Sequence, residues 1–486
     1  MMKRRDFVHK SLVLLAFASG GTAIACLGTK KSKASYTIKQ FEDEGLAHFS
    51  YAILVDNKIV LVDPARDPQP YYDYADEQEA EIIGVIETHP HADFVSSHLQ
   101  IHQEKQAKIY VSRLVHAAYP HQTFDEGDHI ALSDTVTLVA LHTPGHSPDS
   151  ISVVLREEDK DVAVFSGDAL LFGSVGRPDL REYSGEAAAR RQELAKQMYH
   201  TVHQKYAALN DNVLVYPAHG AGSLCGNAIR DVKESTIGYE RAHNFGFQIK
   251  DEQEFVKILL QDQPYIPKYF PYNVELNKKG APTFEQAIKA VSVLPVTGTD
   301  VSQTLVVDTR GSRDFRASHL PQSVNIPDNK KFETWLGTFV DPEDNFYLVV
   351  GDEIDKEKQL SKAAKIGYEA LVKAILIYKD HQGQQFSNFD KVDFDKNKAD
   401  YIILDVRTVK EASEDPVFEN VVNIPLSELE EKIATLPTDK PIYVHCASGY
   451  RSSIGSSLIK KVYPNADVYD IGSEIIEYKK SNRNKR

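Results

Sequence analysis

The stretch Thr88-His89-Pro90-His91-Ala92-Asp93-Phe94 is the most informative part of this sequence. It follows Ile82-Ile83-Gly84-Val85-Ile86, an apolar run that predicts a buried strand. Two histidines that are two residues apart at a strand end can point into one opening, and an acidic residue two positions further on joins them. This cluster therefore predicts a metal site held by a rigid sheet.

Three further polar clusters follow apolar runs in the same way: Thr143-Pro144-Gly145-His146, Ser166-Gly167-Asp168 and Tyr216-Pro217-Ala218-His219. Together with residues 88–94, these motifs resemble the metallo-β-lactamase superfamily in order and spacing, over about residues 36 to 275. The resemblance implies an αββα sandwich with metals at one edge.

One position departs from the two-metal hydrolases of that superfamily, such as glyoxalase II. In those enzymes a histidine that helps to bind the second ion follows the aspartate, whereas Phe94 stands here. Phenylalanine offers no lone pair, so we expect the second site to stay empty. One metal then keeps His89, His146 and Asp168, which is the ligand set of non-haem Fe(II) oxygenases.

The other polar residues of these motifs are then expected to orient the ligands or to handle protons: His91, Asp93 and His219. Gly167-Asp168-Ala169-Leu170-Leu171-Phe172, followed by Gly176-Arg177-Pro178-Asp179, resembles the persulfide dioxygenase branch of the superfamily. The resemblance implies one Fe(II) per chain, O₂ as co-substrate, and oxidation of the outer sulfur of a thiol persulfide. Arg177 matches an arginine near the substrate in that branch, and a structural salt bridge is its alternative role.

Cys225 lies six residues after His219, in Gly220-Ala221-Gly222-Ser223-Leu224-Cys225-Gly226. Similar glycine-rich loops occur in persulfide dioxygenases that are fused to sulfurtransferase domains, where the cysteine could hold a persulfide beside the iron. The alternative is a small buried thiol.

The C-terminal part of the sequence repeats itself. Three segments of the first copy recur in the same order in the second: Val306-Val307-Asp308-Thr309-Arg310 as Ile403-Leu404-Asp405-Val406-Arg407, Val324-Asn325-Ile326-Pro327 as Val422-Asn423-Ile424-Pro425, and Tyr347-Leu348-Val349-Val350 as Tyr443-Val444-His445-Cys446. The repeat predicts two α/β units of about 100 residues each. Apolar strands alternating with helices predict a parallel sheet that is covered on both faces.

Cys446 ends a predicted strand, and Ala447-Ser448-Gly449-Tyr450-Arg451-Ser452 follows. Converging backbone N–H groups, the dipole of the next helix and Arg451 are expected to stabilise a thiolate or an anionic persulfide there. The loop resembles the active loop of rhodanese sulfurtransferases. The first copy has no cysteine around Val350, and Asp352 and Glu353 follow, so we interpret it as a structural spacer or docking surface.

The sequence thus predicts an α/β multi-domain chain: an export signal (1–34), a metallo-β-lactamase-fold dioxygenase (35–277), a rhodanese-like domain without cysteine (281–380) and an active rhodanese domain (388–486), with Lys278 to Pro282 as a linker. The predicted function is oxidation of a low-molecular-weight thiol persulfide to sulfite and transfer of sulfur from Cys446 to sulfite, giving thiosulfate. The main alternative is a zinc-dependent, glyoxalase II-like thioester hydrolase, because zinc accepts the same ligands. A sulfur carrier or redox sensor with a structural metal is a third.

The composition and the N-terminal segment bear on the binding partners and the location of the protein. The chain of 486 residues has 56 basic and 70 acidic side chains, a net charge of −14, which argues against nucleic acid as a partner. Lys3-Arg4-Arg5-Asp6-Phe7 and the uncharged run that follows resemble a twin-arginine export signal, which predicts a periplasmic protein. Cys26 is either the lipidated cysteine of a membrane-anchored lipoprotein or incidental, and we expect a homo-oligomer.

Overall fold

The computed structural model describes residues 35–178, 187–379 and 382–483, which belong to one compact unit. The predicted export signal, with Cys26, lies outside the described residues, and so does Asp179. Within the described ranges, no helix combines the length and the apolar character that crossing a membrane requires.

Two β-sheets pack face to face in the N-terminal half. The strands of the first sheet, in spatial order, are Thr37–Asp43, His48–Val55, Lys58–Val62, Glu81–Ile86, Lys108–Val111 and Gln122–Thr123. Those of the second are Leu214–Pro217, Lys160–Gly167, Ile151–Glu157, Val136–His142 and His129–Ala131. Buried residues of both sheets share one apolar core, and helices cover the outer faces, which is the predicted αββα sandwich. A small hairpin joins Leu170–Leu171 to Ser174–Val175.

Two parallel sheets follow in the C-terminal half, as the repeat predicts. The first has the strand order Val293–Pro295, Val372–Ile377, Phe346–Val350, Leu305–Asp308 and Ser323–Asn325. The second has the order Val422–Asn423, Ile402–Asp405, Ile442–His445 and Val468–Asp470.

The α-helices of the N-terminal half are Gln69–Glu77, His98–Lys105, Ala187–His200, Ile237–His243, Phe245–Gln248, Glu252–Leu259 and Tyr269–Lys279. Those of the C-terminal half are Phe284–Lys289, Ser312–Ala317, Phe332–Phe339, Asp355–Lys365, Lys391–Asn397, Val409–Glu414, Leu429–Lys432, Tyr450–Val462 and Ile475–Arg483. Short 3₁₀ turns lie between them, and a π-helical turn, Thr201–Lys205, continues the helix Ala187–His200.

The prediction of a linker from Lys278 to Pro282 is wrong at its start. Lys278 and Lys279 form the last turn of the helix Tyr269–Lys279, and the chain leaves this helix at Gly280. Gly280 has a φ of 86°, a left-handed conformation that glycine adopts at little cost. The helix continues because its buried residues, among them Tyr269 and Val274, pack into a core shared with the rhodanese-like domains.

Candidate metal centre and sulfur-transfer loop

The predicted metal-binding motifs meet at one edge of the sandwich because each follows a strand of the two facing sheets. The site residues and their preceding strands are His89 and His91 after Glu81–Ile86, His146 after Val136–His142, Asp168 after Lys160–Gly167, and His219 after Leu214–Pro217. All five side chains are buried. The sheets therefore hold the site from opposite sides, which fixes its geometry.

Asp168 is the centre of the site. Its Oδ2 atom lies 3.7 Å from His89 Nε2 and 3.6 Å from His146 Nε2. No hydrogen bond within the described part of the chain satisfies this oxygen, although Asp168 is only 1% exposed. A buried carboxylate oxygen without a donor is costly unless a cation compensates it. Two imidazole nitrogens and one carboxylate oxygen fit a divalent first-row metal ion.

Hydrogen bonds set the tautomers of the two histidines. His146 Nδ1 lies 2.7 Å from the carbonyl oxygen of Arg177, which can only accept, so this nitrogen carries the proton. His89 Nδ1 lies 3.0 Å from the hydroxyl of Thr88, which donates its own proton to Asp63 Oδ2 at 2.8 Å. Both rings therefore carry their lone pair on Nε2, the atom that faces the shared carboxylate, as metal-binding histidines do.

His219 is held between two carboxylates. Its Nδ1 atom lies 2.6 Å from Asp168 Oδ1, and its Nε2 atom lies 2.6 Å from Asp93 Oδ2. Burial alone would lower the pKa of His219, but the two carboxylates raise it well above the ordinary value. Burial opposes ionisation of Asp168, yet His219, with the two other histidines, lowers its pKa well below the usual range. In this arrangement His219 is an imidazolium that orients Asp168.

The side chain of Phe94 packs beside the motif His89–Asp93 and offers no ligand atom. Its ring is buried, with its centroid 3.8 Å from that of His48 and 4.3 Å from that of His91. His91 Nε2 lies 3.2 Å from Asp63 Oδ1. Ligating atoms of His91, His89 and Asp168 nevertheless lie within 4.8 Å of one another, so His91 can reach the same ion.

Cys225 reaches the metal site directly. Its Sγ atom lies within 4.8 Å of ligating atoms of His146 and Asp168, and also of Asp93 and His219. The side chain is 2% exposed. Burial, together with the charges of Asp168 and Asp93, raises the pKa of the thiol well above its ordinary value. The residue therefore presents a neutral thiol to the site in the arrangement that the structure describes.

Arg177 is buried beside Cys225, whose carbonyl oxygen accepts a hydrogen bond from the Arg177 backbone N–H at 2.9 Å. Its Nη1 atom donates to the carbonyl oxygen of Pro264 at 2.6 Å, and its guanidinium lies over the ring of Phe270. The Nη2 atom has no partner among the described residues. The described partners of the side chain are thus backbone carbonyls and a ring, which leaves one nitrogen for an anionic ligand.

Two supporting residues were missed by the sequence reasoning. Asp63 accepts hydrogen bonds from the backbone and hydroxyl of Thr88 and lies next to His91, so it fixes the first motif. Its signal was present, because Val62-Asp63-Pro64 also ends a strand. His48, whose ring lies tilted against that of Phe94, has no comparable signal in the sequence.

The sulfur-transfer loop surrounds Cys446, which is 1% exposed at the end of the strand Ile442–His445. The backbone N–H of Gly449 donates to Cys446 Sγ at 3.2 Å, and Ser452 Oγ lies 3.8 Å from the same sulfur. Gly449 has a φ of 105°, which only glycine adopts readily. The loop thus presents a backbone donor to the sulfur, as the sequence predicts.

Arg451 forms a salt bridge with Glu411, which lies 40 positions earlier in the sequence. Its two terminal nitrogens each lie 2.7 Å from one oxygen of Glu411. The hydrogen-bonded guanidinium lowers the pKa of Glu411 to about 2. His445, adjacent to Cys446, is buried, and burial lowers its pKa to about 4, so the ring is neutral at pH 7.

The rhodanese-like domain without cysteine has the same Asp–Arg–Asn contacts as the active rhodanese domain. Arg310 pairs with Asp308, and the Asn325 amide donates to the carbonyl oxygens of both residues. The same contacts link Arg407, Asp405 and Asn423 in the active copy. The first copy therefore has the scaffold of the second, with Val350 at the position of Cys446.

Comparisons with known proteins identify the same domains that the structure shows. Residues 43–219 match the family described as metallo-beta-lactamase superfamily, and residues 297–379 and 390–476 match the rhodanese-like domain. The chain is 31% identical to the mitochondrial persulfide dioxygenase ETHE1 of Bos taurus over 215 residues, 43% of this chain and 73% of that protein. It is 30% identical to the cytoplasmic hydroxyacylglutathione hydrolase of Arabidopsis thaliana over 176 residues, 35% and 63% of the two chains. A crystal structure of a metallo-beta-lactamase from Staphylococcus aureus subsp. aureus COL aligns with a TM-score of 0.63 at 30% identity, covering 71% of this chain and all of that one.

Proposed function

We propose that this chain, which belongs to the metallo-β-lactamase superfamily and carries two rhodanese-like domains, is an iron-dependent persulfide dioxygenase coupled to sulfur transfer. The mitochondrial persulfide dioxygenase ETHE1 of Bos taurus is among its relatives. The substrates are a low-molecular-weight thiol persulfide and O₂, and the final product is thiosulfate. The observation that carries the proposal is that Asp168 Oδ2 faces the Nε2 atoms of His89 and His146. The sequence adds that Phe94 stands at the position where the two-metal hydrolases of the superfamily have a ligating histidine.

The metal would be held by His89, His146 and Asp168. When bound there, Fe(II) would supply the redox chemistry by which O₂ oxidises the outer sulfur of the persulfide. His219 keeps the carboxylate of Asp168 oriented and charged. The Nη2 atom of Arg177, which has no partner among the described residues, is suited to bind the anionic persulfide. The net reaction consumes one O₂ and one water and releases the thiol, sulfite and protons.

Cys446 would carry out the second step. Its thiolate attacks the outer sulfur of a second persulfide, so that a new S–S bond forms, the old one breaks and the free thiolate leaves. Sulfite then attacks the outer sulfur of the Cys446 persulfide, which releases thiosulfate and restores the thiolate. The Gly449 N–H, 3.2 Å from the sulfur, stabilises the anionic forms.

A zinc-dependent thioester hydrolase is the second candidate, because the same residues can bind zinc and a hydroxyacylglutathione hydrolase is among the relatives. Anaerobic purification, followed by metal analysis and measurement of O₂ uptake with glutathione persulfide, separates the two. We expect about one iron per chain and persulfide-dependent O₂ uptake. Full occupancy by zinc without O₂ uptake would favour the hydrolase.

The periplasmic location is proposed from the sequence alone, because residues 1–34 lie outside the described residues. Cell fractionation with an antibody against the C-terminal domain is the test. A shortened chain in the periplasmic or membrane fraction would support export. The full-length chain in the cytosol would contradict it.

A further inference from the structure

The loop that carries Cys225 is fixed at its two ends by the metallo-β-lactamase domain. At its start, the backbone N–H of Gly220 donates to the carbonyl oxygen of Ala47 at 2.9 Å. At its end, the carbonyl oxygen of Cys225 accepts from Arg177, and Gly226 pairs with Gly176. The middle of the loop lies between these two attachments.

The cysteine-less rhodanese-like domain contacts the middle of the loop through Lys331, beside Leu224, which packs against the core shared with the rhodanese-like domains. Lys331 Nζ donates to the carbonyl oxygen of Gly222 at 2.8 Å. Gly222 has a φ of 99°, and a Cβ atom there would lie 3.3 Å from Lys331 Nζ, so the ammonium lies directly against the backbone of the loop. A hydrogen bond from a charged donor is stronger than one between neutral groups.

The surroundings of Lys331 favour a specific role over an incidental surface contact. The side chain is half-buried, and desolvation lowers its pKa, partly offset by the charge of Glu333. Glu333 is itself buried and lies so close to the backbone of Gly45 that a Cβ there would be 2.8 Å from its Oε1 atom. The rhodanese-like domain thus lies against both the turn at residues 44–47 and the centre of the Cys225 loop.

We propose that Lys331 is a positioning residue that holds the Cys225 loop closed over the metal site, and that this is a role of the rhodanese-like domain without a cysteine. The inference deepens the proposed function, on which it rests for the meaning of Cys225. The Lys331 contact sets how often the loop opens, whichever reaction the metal site catalyses.

Loop opening can be measured without turnover. We would treat the full-length protein with iodoacetamide, without persulfide, and follow alkylation of the Cys225 peptide by mass spectrometry, with the Cys446 peptide as an internal reference. Lys331→Met is expected to speed the alkylation of Cys225 by about tenfold, the size expected for one lost hydrogen bond to a charged donor, and to leave Cys446 unchanged. Lys331→Arg is expected to restore slow alkylation.

Lys330→Met is the matched control, because Lys330 pairs with Glu44 and is the neighbour of Lys331 in sequence. Alkylation of Cys225 at the wild-type rate in Lys331→Met would overturn the proposal. An equal increase in the alkylation rate of Cys446, or the same increase for Cys225 in Lys330→Met, would also overturn it. Lys331→Gln, which keeps a donor but loses the charge, should give an intermediate rate and carries the test if the methionine variant does not accumulate. Because no persulfide or O₂ is used, a finding of hydrolase activity would leave the result valid.

Discussion

One oxygen of Asp168 lies 2.6 Å from His219 Nδ1, while the other faces His89 and His146 with no hydrogen bond from the described residues. Oδ1 of the carboxylate thus faces the imidazolium of His219, which orients it, and Oδ2 faces the candidate metal position. Because Asp93 holds the other nitrogen of His219, the orientation of Asp168 depends on a chain of three buried side chains.

His219→Gln is expected to weaken metal binding by about 10- to 100-fold, the usual effect of removing a residue that orients a metal ligand. The neutral amide of glutamine cannot offset the negative charges of the buried Asp93 and Asp168. Competition with a chromophoric chelator measures the affinity. An unchanged affinity would show that His219 does not orient Asp168.

Phe94→His is expected to create a second metal site, because the new imidazole would join Asp93, His219 and Asp168. Metal analysis after loading with zinc should then give about two ions per chain in place of about one. Phe94→Leu, which also removes the ring but adds no ligand, should keep the original ratio. Two zinc ions in the leucine variant or in the wild type would contradict the one-metal account.

Much of this site could be predicted from the sequence, because polar residues that directly follow strands running in the same direction lie at one edge of a sheet. His89, His146 and Asp168 follow such strands, the resemblance to the superfamily implies that they are the ligands, and the structure brings them together. Contacts between distant segments carry no such signal. Lys331 meets Gly222 across 109 positions, and nothing near either residue indicates the pairing.

The same limit applies in the C-terminal half. The two repeated units and their parallel sheets could be predicted because the strands recur at a nearly constant offset. The pairing of Arg451 with Glu411 could not, since it depends on how the helix Val409–Glu414 packs against the active loop. The extent of the helix Tyr269–Lys279 was also missed, because its stability comes from packing against another domain.

Cys446→Ser is expected to abolish thiosulfate formation from persulfide and sulfite while persulfide-dependent O₂ uptake continues, so that sulfite accumulates. The sulfur of Cys446 is the nucleophile of the second step, and serine forms no persulfide. Ion chromatography of sulfite and thiosulfate, beside an oxygen electrode, measures both steps. Thiosulfate production at the wild-type rate would place the transfer elsewhere in the chain.

Acid should destabilise the C-terminal domain through His445. Its pKa is lowered to about 4 by burial, whereas an unfolded histidine titrates near 6.5, so the unfolded state binds one more proton between these values. Stability is therefore retained above about pH 6.5 and lost as the pH falls toward 4, by roughly 1.4 kcal/mol per pH unit for one histidine.

His445→Gln should reduce this dependence, because glutamine takes up no proton. Urea midpoints of the wild type and the variant between pH 7 and pH 4, followed by a probe in the C-terminal domain, measure the difference. Parallel curves would show that His445 does not contribute. Other buried histidines have lowered pKa values, namely His48, His98 and His319, and they should keep part of the pH dependence in the variant.

The metal content and O₂ uptake of the anaerobically purified wild-type protein show directly whether the chain is a one-iron persulfide dioxygenase. We expect about one iron per chain, and O₂ consumption that requires a thiol persulfide and is lost in His146→Ala. Two metal ions per chain, or zinc with thioester hydrolysis and no O₂ uptake, would contradict it.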